Sequence, residues 1–202
     1  KNLVIGDAEL DVIEKGVDKQ GRVKDRKLSI IIPLEEGERW KLGEIHVEGN
    51  DVLPEQLLRA AFGEPKGGWL RQDVIDSGLE QIKDFYQNTG YMFSQVEGET
   101  KEVGDLVADL FVTIDEGDQF RIGRIEFSGN EKTRDRVLRR NLRVHEGMVF
   151  NSAQLKSSIM KLQQMDFFAV HEEDPVEIDI DDTEQLVNLT IKGDEAERTE
   201  LT

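Results

Sequence analysis

The chain repeats itself at a spacing of 80 residues, and a repeating chain folds as successive look-alike units, each with a small core of its own. Glu36-Gly37 recurs as Glu116-Gly117, Gly43 as Gly123, Ile45 as Ile125, Gly49-Asn50 as Gly129-Asn130, Leu58-Arg59 as Leu138-Arg139, and Gly67 as Gly147. These are nine identities in the 32 positions from 36 to 67. Where identity lapses, apolar character persists: Trp40 faces Phe120, Leu42 faces Ile122, Val47 faces Phe127 and Phe62 faces Leu142 in the register.

Within each unit the apolar positions dictate the elements. Trp40 and Leu42 alternate, then Gly43 shifts the parity so that Ile45 and Val47 continue on one face, which predicts a strand bulged at the glycine. The second unit repeats this at Phe120, Ile122, Gly123, Ile125 and Phe127. Gly-Asn ends each strand in a turn, both residues tolerating positive φ. A first helix follows, with Pro54 at its first position in one unit and Thr133 as N-cap for Arg134 to Arg140 in the other. Ile75, Leu79, Ile82 and Tyr86, then Leu155, Ile159 and Leu162, mark the buried stripe of a second helix. Asn151 with Gln154 resembles a capping box, and Gly90 suits a left-handed helix end. Two strands close each unit: Met92 to Lys101 and Leu106 to Ile114, then Ala169 to Asp181 and Val187 to Ile191. Each unit therefore reads β-α-α-β-β, an α+β fold with a three-stranded mixed sheet and two helices on one face.

The domains expected are 37–117 and 118–202, preceded by residues 1–36, which hold only a closing hairpin. Its strands run near Ala8 to Lys15 and through Leu28, Ile30, Ile32 and Leu34, with a turn at Gln20-Gly21. Without helices its apolar face is uncovered, so the hairpin is expected to be disordered or to pack on a neighbouring chain. Glu36-Gly37-Glu38-Arg39 and Glu116-Gly117-Asp118-Gln119 are short connections, and Gly37 and Gly117 are the predicted hinges of a bent, semi-rigid rod.

Charge narrows the partners. With 26 basic and 43 acidic residues the net charge is −17, which disfavours nucleic acid and anionic membrane surfaces. Absence of cysteine removes disulfides and thiolate metal sites. No apolar run is long enough to span a bilayer, and a start at Lys1-Asn2 without Met reads as a piece of a longer precursor.

The β-α-α-β-β order, the Gly-Asn strand endings, Asn88-Thr89-Gly90-Tyr91-Met92-Phe93 after the long helix and Glu116-Gly117 before the next unit resemble tandem POTRA domains. The resemblance runs through most of residues 37 to 195. Ile125 to Phe150, reading IEFSGNEKTRDRVLRRNLRVHEGMVF, resembles the barrel-proximal POTRA module of BamA-type outer-membrane assembly proteins, and Met165-Asp166-Phe167-Phe168 with Val170 and Pro175 fits the same module. The family commonly has Gly where Asp166 stands, and an acid after the Arg pair where this chain has Asn141. The resemblance implies that any salt bridge such an acid would make to a partner lipoprotein is abolished or altered by Asn141, which lacks the carboxylate. The resemblance implies a periplasmic scaffold at the Gram-negative outer membrane that handles unfolded β-barrel precursors with assembly lipoproteins, followed in the full-length protein by a membrane barrel. It implies no cofactor and no enzyme activity.

A sheet covered on one face by helices leaves strand edges with unpaired N–H and C=O groups, which accept an extended guest by β-augmentation. The predicted client edges are Phe93, Ser94, Gln95 and Val96 in one unit and Val170, His171, Glu172 and Glu173 in the other. Ordinary solvated edges are the competing reading. Arg134, Arg136, Arg139 and Arg140, with Asn141, form a basic segment on an acidic chain and are the predicted partner-docking patch. Glu172 to Asp182 holds seven carboxylates and no base; without EF-hand spacing it reads as a solvated edge rather than a calcium site.

His46, His145 and His171 are far apart and lie in no metal-ligand or triad pattern, and no phosphate-cradling glycine motif is present. Gly67-Gly68-Trp69 reads as a loop entering the second helix. Three functions remain: a barrel-assembly scaffold, the POTRA pair of a secretion transporter that recognises one exoprotein, or an acidic hydrolase using two carboxylates.

Overall fold

The computed structural model describes residues 3–5, 9–17, 23–32, 34–36, 38–63 and 66–195. In chain order the elements are β1 (Leu3–Ile5), β2 (Glu9–Val17), β3 (Val23–Ile31), β4 (Leu34–Glu36), β5 (Lys41–Glu48), α1 (Glu55–Ala60), α2 (Gln72–Asn88), β6 (Gln95–Gly104) and β7 (Val107–Asp115). They continue with β8 (Arg121–Ser128), α3 (Asp135–Arg139), α4 (Ser152–Gln163), β9 (Phe168–Val170), β10 (Val176–Asp181) and β11 (Leu186–Glu195). The β-α-α-β-β order thus occurs in the first module and again in the second, where its middle strand is split into β9 and β10.

Contacts cluster the chain into two units, Lys1–Glu44 with Pro65–Arg71 and Thr100–Asp109, and Ile45–Glu64 with Gln72–Glu99 and Leu110–Thr202. In the first, β2 and β3 pair antiparallel, as do β1 and β4. The expected hairpin is therefore present as backbone, while its Gln20-Gly21 turn and Gly37 lie outside the described residues.

β5, β7 and β6 form a sheet in the order β5-β7-β6; the second module repeats it as β10-β11-β8. There β11 runs parallel to β8 and antiparallel to β10, so the sheet is mixed. Val187, Leu189 and Ile191 of β11 pack with Ile122 and Ile125 of β8, Leu138 of α3, and Leu155, Ile159 and Leu162 of α4 in one apolar core. Burial of such side chains contributes roughly 1.5–3 kcal/mol each. The period-2 and helical stripes read from the sequence are the positions that point into this core.

The predicted bulge is present in the second module. Val187 and Leu189 of β11 face Ile122 and Ile125 of β8, so β8 carries one residue more across the same stretch. The Asn188 side chain fills the gap, its Oδ1 accepting from Arg124 N at 2.9 Å; Asp109 Oδ1 accepts from Glu44 N at 2.7 Å in the first module. A Cβ on Gly123 or Gly43 would sit 2.4 or 2.0 Å from those oxygens. A side chain at either glycine would displace the acceptor from the backbone N–H it serves.

Three local expectations shift. Of each Gly-Asn pair only the glycine takes positive φ, at +83° for Gly49 and +87° for Gly129. The asparagine acts through its amide instead, Asn50 Nδ2 donating to Leu53 O and Asn130 Nδ2 to Thr133 O. Pro54 and Arg134, both extended, are the N-caps of α1 and α3, one residue from the expected starts. Asn151 caps α4 as predicted, its side chain accepting from Gln154 N at 2.8 Å. The expected single strand from Ala169 to Asp181 is two strands, β9 and β10.

Candidate functional site

Each module closes one sheet edge with its own loop. Gly67 N donates to Leu42 O, Leu42 N to Gly68 O and Leu70 N to Trp40 O, each at 2.8 Å, and Lys41 bridges Trp69 antiparallel. Gly147, Met148 and Phe150 repeat this on β8, where Arg121 bridges Val149. The loop that enters the second helix is therefore also a short edge cover, which its glycines gave no way to foresee. The outer strands at the other end, β6 and β10, have one named strand partner each.

The predicted client residues fall unevenly on those edges. Gln95 and Val96 open β6, whereas Phe93 and Ser94 precede it. Phe93 is 51% exposed and stands edge-on to the Phe120 ring at 5.3 Å. Ser94 is buried, and its Oγ has no partner among the described residues. Val170 ends β9 and is buried opposite Gly193. His171, Glu172 and Glu173 are not on a strand, a correction to the expected edge: Lys192 O accepts from His171 N while Lys192 N donates to Pro175 O, so residues 171–175 loop out past one residue of β11. Proline has no N–H to continue the ladder. The outer strand here is β10, inside the acidic run.

The basic segment divides in two. Arg134, Arg136 and Arg140 are exposed around α3. Arg139 turns inward, its Nη1 donating to Glu146 Oε1 at 2.9 Å, its Nη2 to the Ile125 carbonyl, with the guanidinium over the Phe127 ring. Glu146 also accepts from Ile125 N at 3.0 Å; that N–H first and Arg139 second hold its carboxyl below the ordinary range. Asn141 Nδ2 donates to Val137 O at 2.8 Å, so it too is used within the fold. Ile125, Arg139, Leu142, Val144, His145 and Glu146 line an open cavity of about 210 Å³ beside it.

Of the predicted hinges, Gly117 has φ +64° with open space around its Cβ position. It is not the whole connection. Within the second contact unit, the end of α2 is bonded to the following module: Phe120 N to Gly90 O at 2.9 Å, Gln119 Nε2 to Thr89 O at 2.9 Å, Asn151 Nδ2 to Asn88 O at 2.6 Å, and Ala153 N to Asn88 Oδ1 at 2.9 Å. Gly90, at φ +97°, leaves no room for a Cβ beside Val149 and Phe120. The same glycine that ends the helix thus admits the next module.

Two carboxylates organise the turns: Glu116, which the repeat marks, and Glu195. Glu116 Oε1 accepts from Val52 N at 2.9 Å and from Tyr86 OH at 2.8 Å; burial first and this carboxylate second push the Tyr86 phenol above its ordinary range. Glu195 Oε1 accepts from Lys132 N at 2.7 Å and from Thr133 N. Burial alone would raise the Glu195 pKa, but these N–H bonds prevail and lower it. The signal was present: Glu195 follows Glu116 by 79 residues, one short of the period.

Among the described residues no group of three or more His, Asp or Glu is placed to hold a metal ion. No described helix is long and apolar enough to cross a membrane.

Two loop-covered sheets with the same strand order define a tandem repeat domain of the POTRA type. The POTRA family, described as a surface antigen variable number repeat, matches residues 40–117 and again 120–196, and the chain belongs to it. The chain is 28% identical over 173 residues to the outer membrane protein assembly factor BamA of Nitratidesulfovibrio vulgaris, covering 79% of this chain and 22% of that protein. Against BamA of Neisseria meningitidis serogroup B it is 27% identical over 158 residues, covering 75% and 19%. It spans about a fifth of the length of these relatives. The crystal structure of Haemophilus influenzae BamA POTRA3-5 superposes with a TM-score of 0.67 at 19% identity over 96% of this chain and 72% of that one. BamA from Haemophilus ducreyi lacking POTRA domains 1-3 gives 0.65 at 23% identity over 77% and 29%. Both establish the fold.

Proposed function

We propose that this chain is the periplasmic POTRA region of a BamA-like outer-membrane assembly factor, and that it receives unfolded β-barrel precursors on the outer strands of its sheets. The observation that carries the reading is the asymmetry of the edges. One edge of each sheet is covered by the module's own loop, while β6 and β10 are left as outer strands. Backbone hydrogen bonding along such a strand asks little of a guest's sequence, as suits a handler of many precursors. The names of the relatives favour barrel assembly over the secretion-transporter reading. Arg134, Arg136 and Arg140 are the side chains left to dock an assembly lipoprotein, with Arg139 and Asn141 holding the segment in shape. The full-length protein would then continue into a membrane barrel.

Photo-crosslinkers placed in cells at Gln95, Val96 and Ile178, with Trp69 on the covered edge as control, test this. Adducts to barrel precursors at the first three and not at Trp69 are expected. Adducts at Trp69 alone, or precursor-free labelling throughout, overturn the edge mechanism. A crosslinker at Arg136 should capture a lipoprotein instead.

A further inference from the structure

β10 is an edge whose two faces ask for different chemistry. Val176, Ile178 and Ile180 stand opposite Ile191, Leu189 and Val187, which are buried in the core, so this row lies on the helix-covered face. Being outermost, Ile178 and Ile180 keep 44% and 38% of their surface exposed. Alternation puts Glu177, Asp179 and Asp181 on the other face. Glu177 shares Lys192 with Asp174 at 2.9 and 2.8 Å. Asp179 receives only the Asn188 amide, at 3.3 Å, and Asp181 only the N–H groups of Thr183 and Glu184, so neither has a cationic partner among the described residues. The strand contains no Pro and no Lys, the usual devices that stop another strand from adding.

We infer that the β10 edge accepts extended polypeptide segments in which apolar residues alternate with Lys or Arg. This rests on the proposed client-binding reading and specifies the guest. A strand laid beside β10 would set one of its rows against Ile178 and Ile180, enlarging the apolar face, and the other against Asp179 and Asp181. Opposite charges directly across two strands are favourable and like charges are not. A guest with acids in that row is rejected by the same geometry, and so is a second copy of this acidic strand. The exposed apolar row supplies contact, and the carboxylate row supplies register and choice.

The test uses the 202-residue chain with three synthetic ten-residue peptides: alternating Val and Lys, alternating Val and Glu, and the Val/Lys composition in blocked order. Binding is followed by amide chemical shifts and hydrogen exchange of residues 176–181 at 150 mM salt (roughly an 8 Å screening length). The alternating Lys peptide is expected to protect β10 amides and to bind at least about tenfold more tightly than the Glu peptide, a difference of about 1.4 kcal/mol. Asp179→Lys with Asp181→Lys should reverse that preference. Equal protection by Lys and Glu peptides overturns the charge selection and leaves strand addition standing. No protection by either overturns both. Equal binding of the blocked and alternating Lys peptides overturns the edge geometry, leaving only diffuse ionic attraction.

Discussion

At Gly129 a Cβ would lie 1.7 Å from the Gly193 carbonyl oxygen on a backbone with φ +87°, whereas Gly147, at φ +84°, has nothing within 4 Å. The two substitutions therefore separate close approach from backbone conformation. Gly147→Ala should cost about 1–2 kcal/mol, the left-handed penalty alone. Gly129→Ala should cost about 3 kcal/mol or more, because strain and overpacking combine; urea unfolding of each variant measures the gap, and equal costs would refute the packing argument. Glu195 gives a pH prediction. Its carboxyl is held below the ordinary 4.5, so its contribution is complete above about that pH and is lost as pH falls through the lower folded value. Glu195→Gln should flatten the acid limb of the stability curve below pH 4.5; an unchanged slope between wild type and variant would count against the Lys132 and Thr133 amides as the cause. The glycines were legible from the repeat. Asp109 and Asn188, which fill the space beside Gly43 and Gly123, were not, because an outward polar residue on a strand looks the same whether it meets solvent or a bulge.

The strands and long helices were visible because burial imposes a period on them. Short elements depended on contacts that no local pattern announces. The arginines on and flanking α3 resembled one basic patch in sequence, yet Arg139 is tied to Glu146 and Ile125 while Arg136 is exposed. Replacing Arg139 by Ala should destabilise the chain by about 1.5–3 kcal/mol, the range for hydrogen bonds to a charged group, reduced by its partial exposure. Arg136→Ala should stay within about 0.5 kcal/mol while lowering lipoprotein capture. Thermal denaturation and pull-down together distinguish these roles, and equal stability loss in both variants would contradict them. The break between β9 and β10 was unreadable for a similar reason: the loop of residues 171–175 is set by what Lys192 pairs with on either side.

Across the whole molecule, duplication is the organising fact, but the join between modules is built from parts that each had another meaning in sequence. Asn88 ends α2 and its side chain bonds Ala153 at the start of α4. Asn88→Ala should speed hydrogen exchange of the Ala153 amide about tenfold, about 1.4 kcal/mol of local protection, with the Gln154 amide, capped by Asn151, changed much less. Equal acceleration at both amides would indicate that the helix cap, not the join, had been lost. The sequence by itself determined the repeat, the order of elements and the core-facing positions, because hydrophobic periodicity and glycine punctuation are properties of adjacent residues. Only the tertiary structure decided which edge is covered, which arginines are committed and where the modules are bonded. Those outcomes depend on hydrogen-bonding groups 7 to 65 residues apart finding one another, and a single chain carries no local mark of such pairings.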